Sequence, residues 1–295
     1  MRRGGRRARR LPATVLAAAL ALLPGCSGPA PRSEPHSESG RILALAPNLA
    51  EIAFALGLGP RVVGVSRYTT WPPAAAKLPR VGGLFDPNVE RMVALRPDLA
   101  LLLPSQEDVA ERLRSVGVDT LTVPLESLED LDRAVRSIAG RCAVPEAGEA
   151  LAGRLHTELA PRPIPGAPRT VISIDRPAGR TENLRVAGPG TYLQELLERL
   201  GAKNAFVDAP VRYPQVGMEE VLARAPGLIV ELQPKALDDS ARRSLLADWR
   251  RFPTIPAVAA GHLTVISGPE TLVIGPRLPE LYRRLEQAVR EAARP

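Results

Sequence analysis

The sequence predicts an α/β fold of two lobes, each built on a parallel sheet, with a helical connector between them. Three observations predict it. From Arg41 onward, short apolar runs alternate with amphipathic stretches; two helical stretches, 128–139 and 146–159, follow one another mid-chain with no strand between them; and the two halves repeat one pattern.

Taken in order, 41–45 (RILAL) and 61–65 (RVVGV) are short apolar runs of strand length, with 48–56 between them carrying apolar residues at helical spacing. Gly57 is the expected stop of that helix. Asp86-Pro87-Asn88 reads as an N-cap followed by Pro in the first turn, opening a helix that ends before Pro97. A third buried strand, 98–103 (DLALLL), and a helix over 106–116 complete the first run. The second of the mid-chain helices ends in the Pro-rich 161–168. The alternation then resumes with strands at 170–175, 228–232 and 262–266 and helices at 191–200, 219–224, 239–249 and 279–293.

The repeat lies in the spacing. Glu90 begins ERMVALRPDLALLL and Glu219 begins EEVLARAPGLIVEL; in both, Pro follows the Glu by seven positions and an apolar strand comes next. Glu51 precedes Gly57 by six, and Glu195 precedes Gly201 by six. Two lobes of like topology leave a cleft between them, where a ligand fits.

The first 25 residues stand apart. Arg2, Arg3, Arg6, Arg7, Arg9 and Arg10 precede an apolar run of 11 residues, 13–23, closed by Pro24-Gly25-Cys26. Basic, apolar and small segments in that order form a secretory signal, and the run is too short for a spanning helix of roughly 20 residues. Leu23-Pro24-Gly25-Cys26 is similar to the lipobox of bacterial lipoproteins, which implies that Cys26 becomes the lipidated first residue. Residues 27–40, rich in Ser, Pro and Glu, read as a flexible tether. Six of the seven net positive charges lie in this leader, so the basic balance reports export, and nucleic acid loses its support as a partner. Besides Cys26 there is only Cys142, which leaves no disulfide framework once Cys26 is acylated. The expected divisions are 1–25 signal peptide, 26–40 lipidated Cys and tether, 41–125 N-terminal lobe, 126–167 connector helices and 168–295 C-terminal lobe.

From Arg41 the chain resembles the periplasmic solute-binding proteins of ABC importers. The residues that carry the resemblance are Leu45-Ala46-Pro47 with Glu51 and Leu56-Gly57, Val63-Gly64-Val65, Tyr68 through Pro72, Leu78 through Gly83, and Pro87-Asn88-Val89-Glu90 running into Ala94 through Leu99. In the second half they are Gly188-Pro189-Gly190, Tyr213-Pro214-Gln215-Val216, Glu219, Asp248-Trp249, Pro256-Ala257-Val258 and Gly275-Pro276-Arg277-Leu278. The resemblance implies two Rossmann-like lobes joined by a long connecting α-helix, the helical-backbone metal-receptor type. It also implies capture of a ligand outside the inner membrane, delivery to ABC permease and ATPase subunits, and no catalysis. Glu90 and Glu219 are then the residues that pair with permease arginines, one from each lobe; a lone glutamate in a first helical turn would serve only the helix dipole. Glu220 is the weaker of the adjacent pair.

Aromatics make up only 3% of the chain, so Tyr68 and Trp71 in one loop draw notice. Such rings suit a flat macrocycle, with Phe85, Tyr192 and Tyr213 as a facing wall and Arg277, Arg176 or Arg212 for its anionic groups. Trp71 packed against Pro72-Pro73, and arginines simply solvated, are the competing readings. Tyr68 and the segments WPP and VGGLFDPNVE are most similar to the cobalamin binders of the family, which implies a cobalt corrinoid as ligand rather than a resident cofactor. Haem or a ferric siderophore stays open, with Tyr68 an axial ligand to haem iron in that case. No metal site is expected: His36 lies in the tether, while His156 and His262 are singletons. An envelope enzyme is the other class, but the chain has no G-x-S-x-G, H-E-x-x-H or Walker motif, and Asp175 with Glu182 is an unoriented carboxylate pair. A monomer exported to the periplasmic or cell-surface side and held to a membrane by lipid is the expectation.

Overall fold

The structure is a computed structural model that describes residues 40–84 and 86–294; the signal peptide, Cys26, the tether with His36, and Phe85 lie outside the described residues. The N-terminal lobe runs β1 (Ile42–Ala44), α1 (Pro47–Ala55), β2 (Val62–Val65), α2 (Pro73–Ala76), α3 (Val89–Ala94), β3 (Leu99–Leu102), α4 (Glu107–Ser115) and β4 (Asp119–Thr122). Two helices follow, α5 (Leu128–Arg141) and α6 (Pro145–Glu158). The C-terminal lobe runs β5 (Arg169–Ile174), β6 (Leu184–Arg185), α7 (Tyr192–Arg199), β7 (Lys203–Asn204), β8 (Gln215–Val216), α8 (Met218–Arg224), β9 (Leu228–Gln233), α9 (Asp239–Arg250), α10 (Pro256–Ala259), β10 (Leu263–Ser267) and α11 (Leu278–Ala292).

Both main sheets are parallel, ordered β2-β1-β3-β4 and β10-β9-β5-β7, and a small antiparallel pair, β6-β8, flanks the second. Each sheet is covered on both faces, and the pleat sorts the side chains. Ile42 and Ala44 belong to one apolar cluster, Leu43 and Leu45 to another; in β5, Ile172 and Ile174 face away from Val171. The largest cluster runs from the N-terminal sheet through α1, α5 and α6 to the C-terminal sheet and α11, so the two lobes share one core.

The connector is a hairpin of α5 and α6. Ser127 and Asp130 cap α5 reciprocally, with 3.0 and 3.1 Å hydrogen bonds. Ala143, at φ 58°, turns the chain back into Pro145 at the start of α6. Gly148 lets the two helices touch: a Cβ there would lie 2.5 Å from the Ala139 Cβ.

The α3 start departs from the sequence expectation. Its N-cap is Asn88, whose Oδ1 accepts the Arg91 N–H at 2.8 Å, and Pro87 precedes the helix. Asp86 pairs with Arg67 instead, while Asn88 N–H donates to the Val81 carbonyl beside a bridge between Gly82 and Pro87. Strand β4 (DTLT) was not expected, because its polar alternation suits a half-buried edge rather than an apolar run. Strands β6, β7 and β8 hold two residues each, too few for any periodicity.

Candidate functional site: the interlobe cleft

Segments at the carboxyl ends of β1, β4, β5 and β10 meet between the lobes, the position where open parallel sheets hold ligands. A cavity of about 450 Å³ lies there, lined by Asn48 of α1, Glu126 before α5, and Ile174, Tyr192, Tyr213 and Ile274 of the C-terminal lobe. A second depression of about 590 Å³, floored by the 175–183 loop, shares Ile174 and Arg185 with the first. Together they form a trough whose smaller end has apolar and aromatic walls and whose larger end is lined mostly by polar and charged residues, with the exposed Arg185 at the junction.

Tyr192 and Tyr213 both line the cavity, whereas Tyr68 and Trp71, which the sequence reading sets opposite them, line neither depression. Tyr192 is nearly closed off at 5% exposure, its hydroxyl donating to the Thr271 carbonyl at 3.4 Å, and burial pushes its phenol far up. Tyr213 is half-buried; burial, then the neighbouring Glu126 carboxylate, push it up to about 12. Both phenols stay neutral at physiological pH; Tyr213 presents an apolar face to the cavity, while Tyr192 is almost wholly covered.

Tyr68 and Trp71 stand out from the loop after β2, 57% and 43% exposed. The loop is fastened from behind by Arg80, which donates to the Thr69 carbonyl at 2.5 Å and the Ser66 carbonyl at 3.1 Å. The Trp71 ring carries the Arg277 guanidinium at 5.1 Å from its centroid, so it meets the other lobe rather than only Pro72-Pro73.

Arg277 is not free for an anionic ligand group. Its Nε and Nη2 donate to the two Glu51 oxygens at 3.0 and 2.5 Å, and Nη1 lies 3.6 Å from Glu270. Burial pushes the Glu51 carboxyl above its usual range, with Arg277 opposing that rise. Arg176 is not solvated, and although it lines the larger depression its guanidinium is taken up by protein partners. It is 5% exposed, pairs with Glu231 and Asp248 at 2.7 Å each, and lies over the Trp249 ring. Its Nη1 also bonds the Arg180 carbonyl at 2.9 Å, so it braces the loop that floors the larger depression. Arg212 is exposed.

Glu90 and Glu219 are both exposed and both lie in the first turn of equivalent helices, α3 and α8. His156 is on the connector surface, and His262 Nδ1 lies 3.1 Å from the Gly227 carbonyl. Among the described residues no group of three or more His, Cys, Asp or Glu is placed to hold a metal. Asp175 and Glu182 line the larger depression. Sequence reasoning missed Asn48, Glu126 and Arg185, which are single polar residues with no pattern around them; Glu51 was visible as a repeat marker and in the family resemblance, but not as a partner of Arg277.

The model of the periplasmic binding protein family matches residues 42–269, which spans both sheets. The chain belongs to that family. A vitamin B12-binding protein of Salmonella paratyphi A is 34% identical over 192 residues, covering 64% of this chain and 71% of the relative. Among solved structures, the periplasmic heme-binding protein of Roseiflexus sp. RS-1 in apo form is 25% identical at a TM-score of 0.73, covering 87% of this chain and all of that one. The periplasmic vitamin B12 binding protein of Vibrio cholerae is 24% identical at a TM-score of 0.72, covering 87% and 98%, and supports the shared fold.

Proposed function

We propose that the protein captures a corrinoid in the interlobe trough and delivers it to an ABC permease, without catalysis. The trough carries this reading. Its two depressions, of about 450 and 590 Å³, share Ile174 and Arg185 and together suit a ligand larger than a sugar or amino acid, and the half-buried Tyr213 gives the smaller one a neutral stacking surface. Similarity to vitamin B12-binding proteins at 34% identity supports the corrinoid class. Glu90 and Glu219, one exposed carboxylate per lobe, serve as docking charges that set orientation on the permease. Cys26, outside the described residues, tethers the domain to a membrane through lipid after export.

Haem is the second reading. The similarity to a heme-binding protein and the half-exposed Tyr68, a phenol suited to an iron, favour it.

A panel of cyanocobalamin, haemin and ferric siderophores added to the purified protein separates these. At a hundredfold excess over Kd the true ligand raises the melting temperature by about 5–10 °C. A curve unmoved by all three removes the ligand class; a shift with haemin alone selects the second reading.

A further inference from the structure

The cation that bridges the lobes touches the N-terminal lobe twice. Arg277, just before α11, forks onto Glu51 of α1 through two hydrogen bonds, and its guanidinium also lies over Trp71 in the β2 loop. Glu270 could compete for Arg277, but Arg284 holds it at 2.8 Å. Arg277 and Glu51 side chains are 13% and 4% exposed. Buried ion pairs add little net stability over apolar residues of the same shape, and their best-attested use is to fix register. A planar fork with a flat face suits that use, since it fixes one partner by hydrogen bonds and another by stacking.

We infer that Glu51 and Arg277 are positioning residues: an interlobe strut that sets the lobe spacing and holds the Trp71 ring at the cleft for the ligand. The ligand half of this rests on the binding reading proposed above; the strut itself does not. Arg277 thereby acts through Trp71 rather than on the ligand.

The chain has two tryptophans, Trp71 at 43% and Trp249 at 1% exposure, so acrylamide quenching of ligand-free protein reports on Trp71. Glu51→Gln and Arg277→Lys, each checked for native circular dichroism, are expected to raise the quenching constant of the accessible component. By equilibrium dialysis they weaken cyanocobalamin binding roughly tenfold, a typical loss for an anchor's support. Trp71→Ala weakens binding equally, and adding Arg277→Lys to it costs nothing further. Unchanged quenching in folded variants overturns the strut. Raised quenching with unchanged Kd overturns the link to ligand. A wild-type protein that binds no cyanocobalamin overturns the binding reading, while the quenching result still decides the strut.

Discussion

In the N-terminal sheet the strands run β2-β1-β3-β4, and in the C-terminal sheet the corresponding strands run β7-β5-β9-β10, the same topology read in chain order. The agreement extends to single dihedral angles. Gly57 and Gly201 end α1 and α7 at φ 79° and 74°, and Arg96 and Ala225 both sit at φ 46° one residue before a proline. The side chains diverge. Glu51 of α1 is buried and reaches across the cleft to Arg277, whereas Glu195 of α7, at the equivalent position, is half-buried and accepts the Leu128 N–H of α5 at 3.2 Å. The C-terminal lobe also buries Arg176 between two carboxylates. One backbone plan thus carries two jobs: the same helix position ties lobe to lobe on one side and lobe to connector on the other.

The largest effect that would break this comparison is at those glutamates. Glu51→Ala leaves Arg277 buried beside a lost partner and is expected to cost roughly 3–5 kcal/mol in urea unfolding. Glu195→Ala removes one charged acceptor from a helix start and should cost roughly 1–2 kcal/mol. Equal costs would mean that the two positions had not diverged.

The matched dihedrals give a smaller and symmetric expectation. Arg96→Gly and Ala225→Gly each relieve a side chain held in the left-handed region and are expected to stabilise by up to about 1 kcal/mol, by like amounts. Opposite signs would argue against one shared backbone plan. Smallest in stability are Glu90→Ala and Glu219→Ala, exposed substitutions expected to stay within about 0.5 kcal/mol. Together they should abolish transport in reconstituted vesicles while ligand affinity is retained; persistent transport removes the docking role.

What could be read in the sequence follows from range. The parallel strands carry continuous apolar runs because both faces are covered, so β1, β3, β5 and β9 announce themselves. The polar edge strand β4 does not. The equivalent first-turn positions of Glu90 and Glu219 were legible because the repeat places them, and Tyr213 as a cavity-lining residue because aromatics are few. The fates of Arg277 and Arg176 were not. Their partners lie 226 residues away for Glu51, and 55 and 72 away for Glu231 and Asp248, and only the folded chain brings them together. Local pattern carries a ladder or a cap; it does not carry a salt bridge between lobes.

The central claim is that the trough holds a corrinoid. The protein, incubated with equimolar cyanocobalamin and haemin and passed through gel filtration, can be read by its absorbance spectrum, since the two chromophores differ. The account predicts corrinoid bands near one equivalent per chain, lost in Tyr213→Ala. A haem Soret band in their place, or a colourless protein peak, would contradict it.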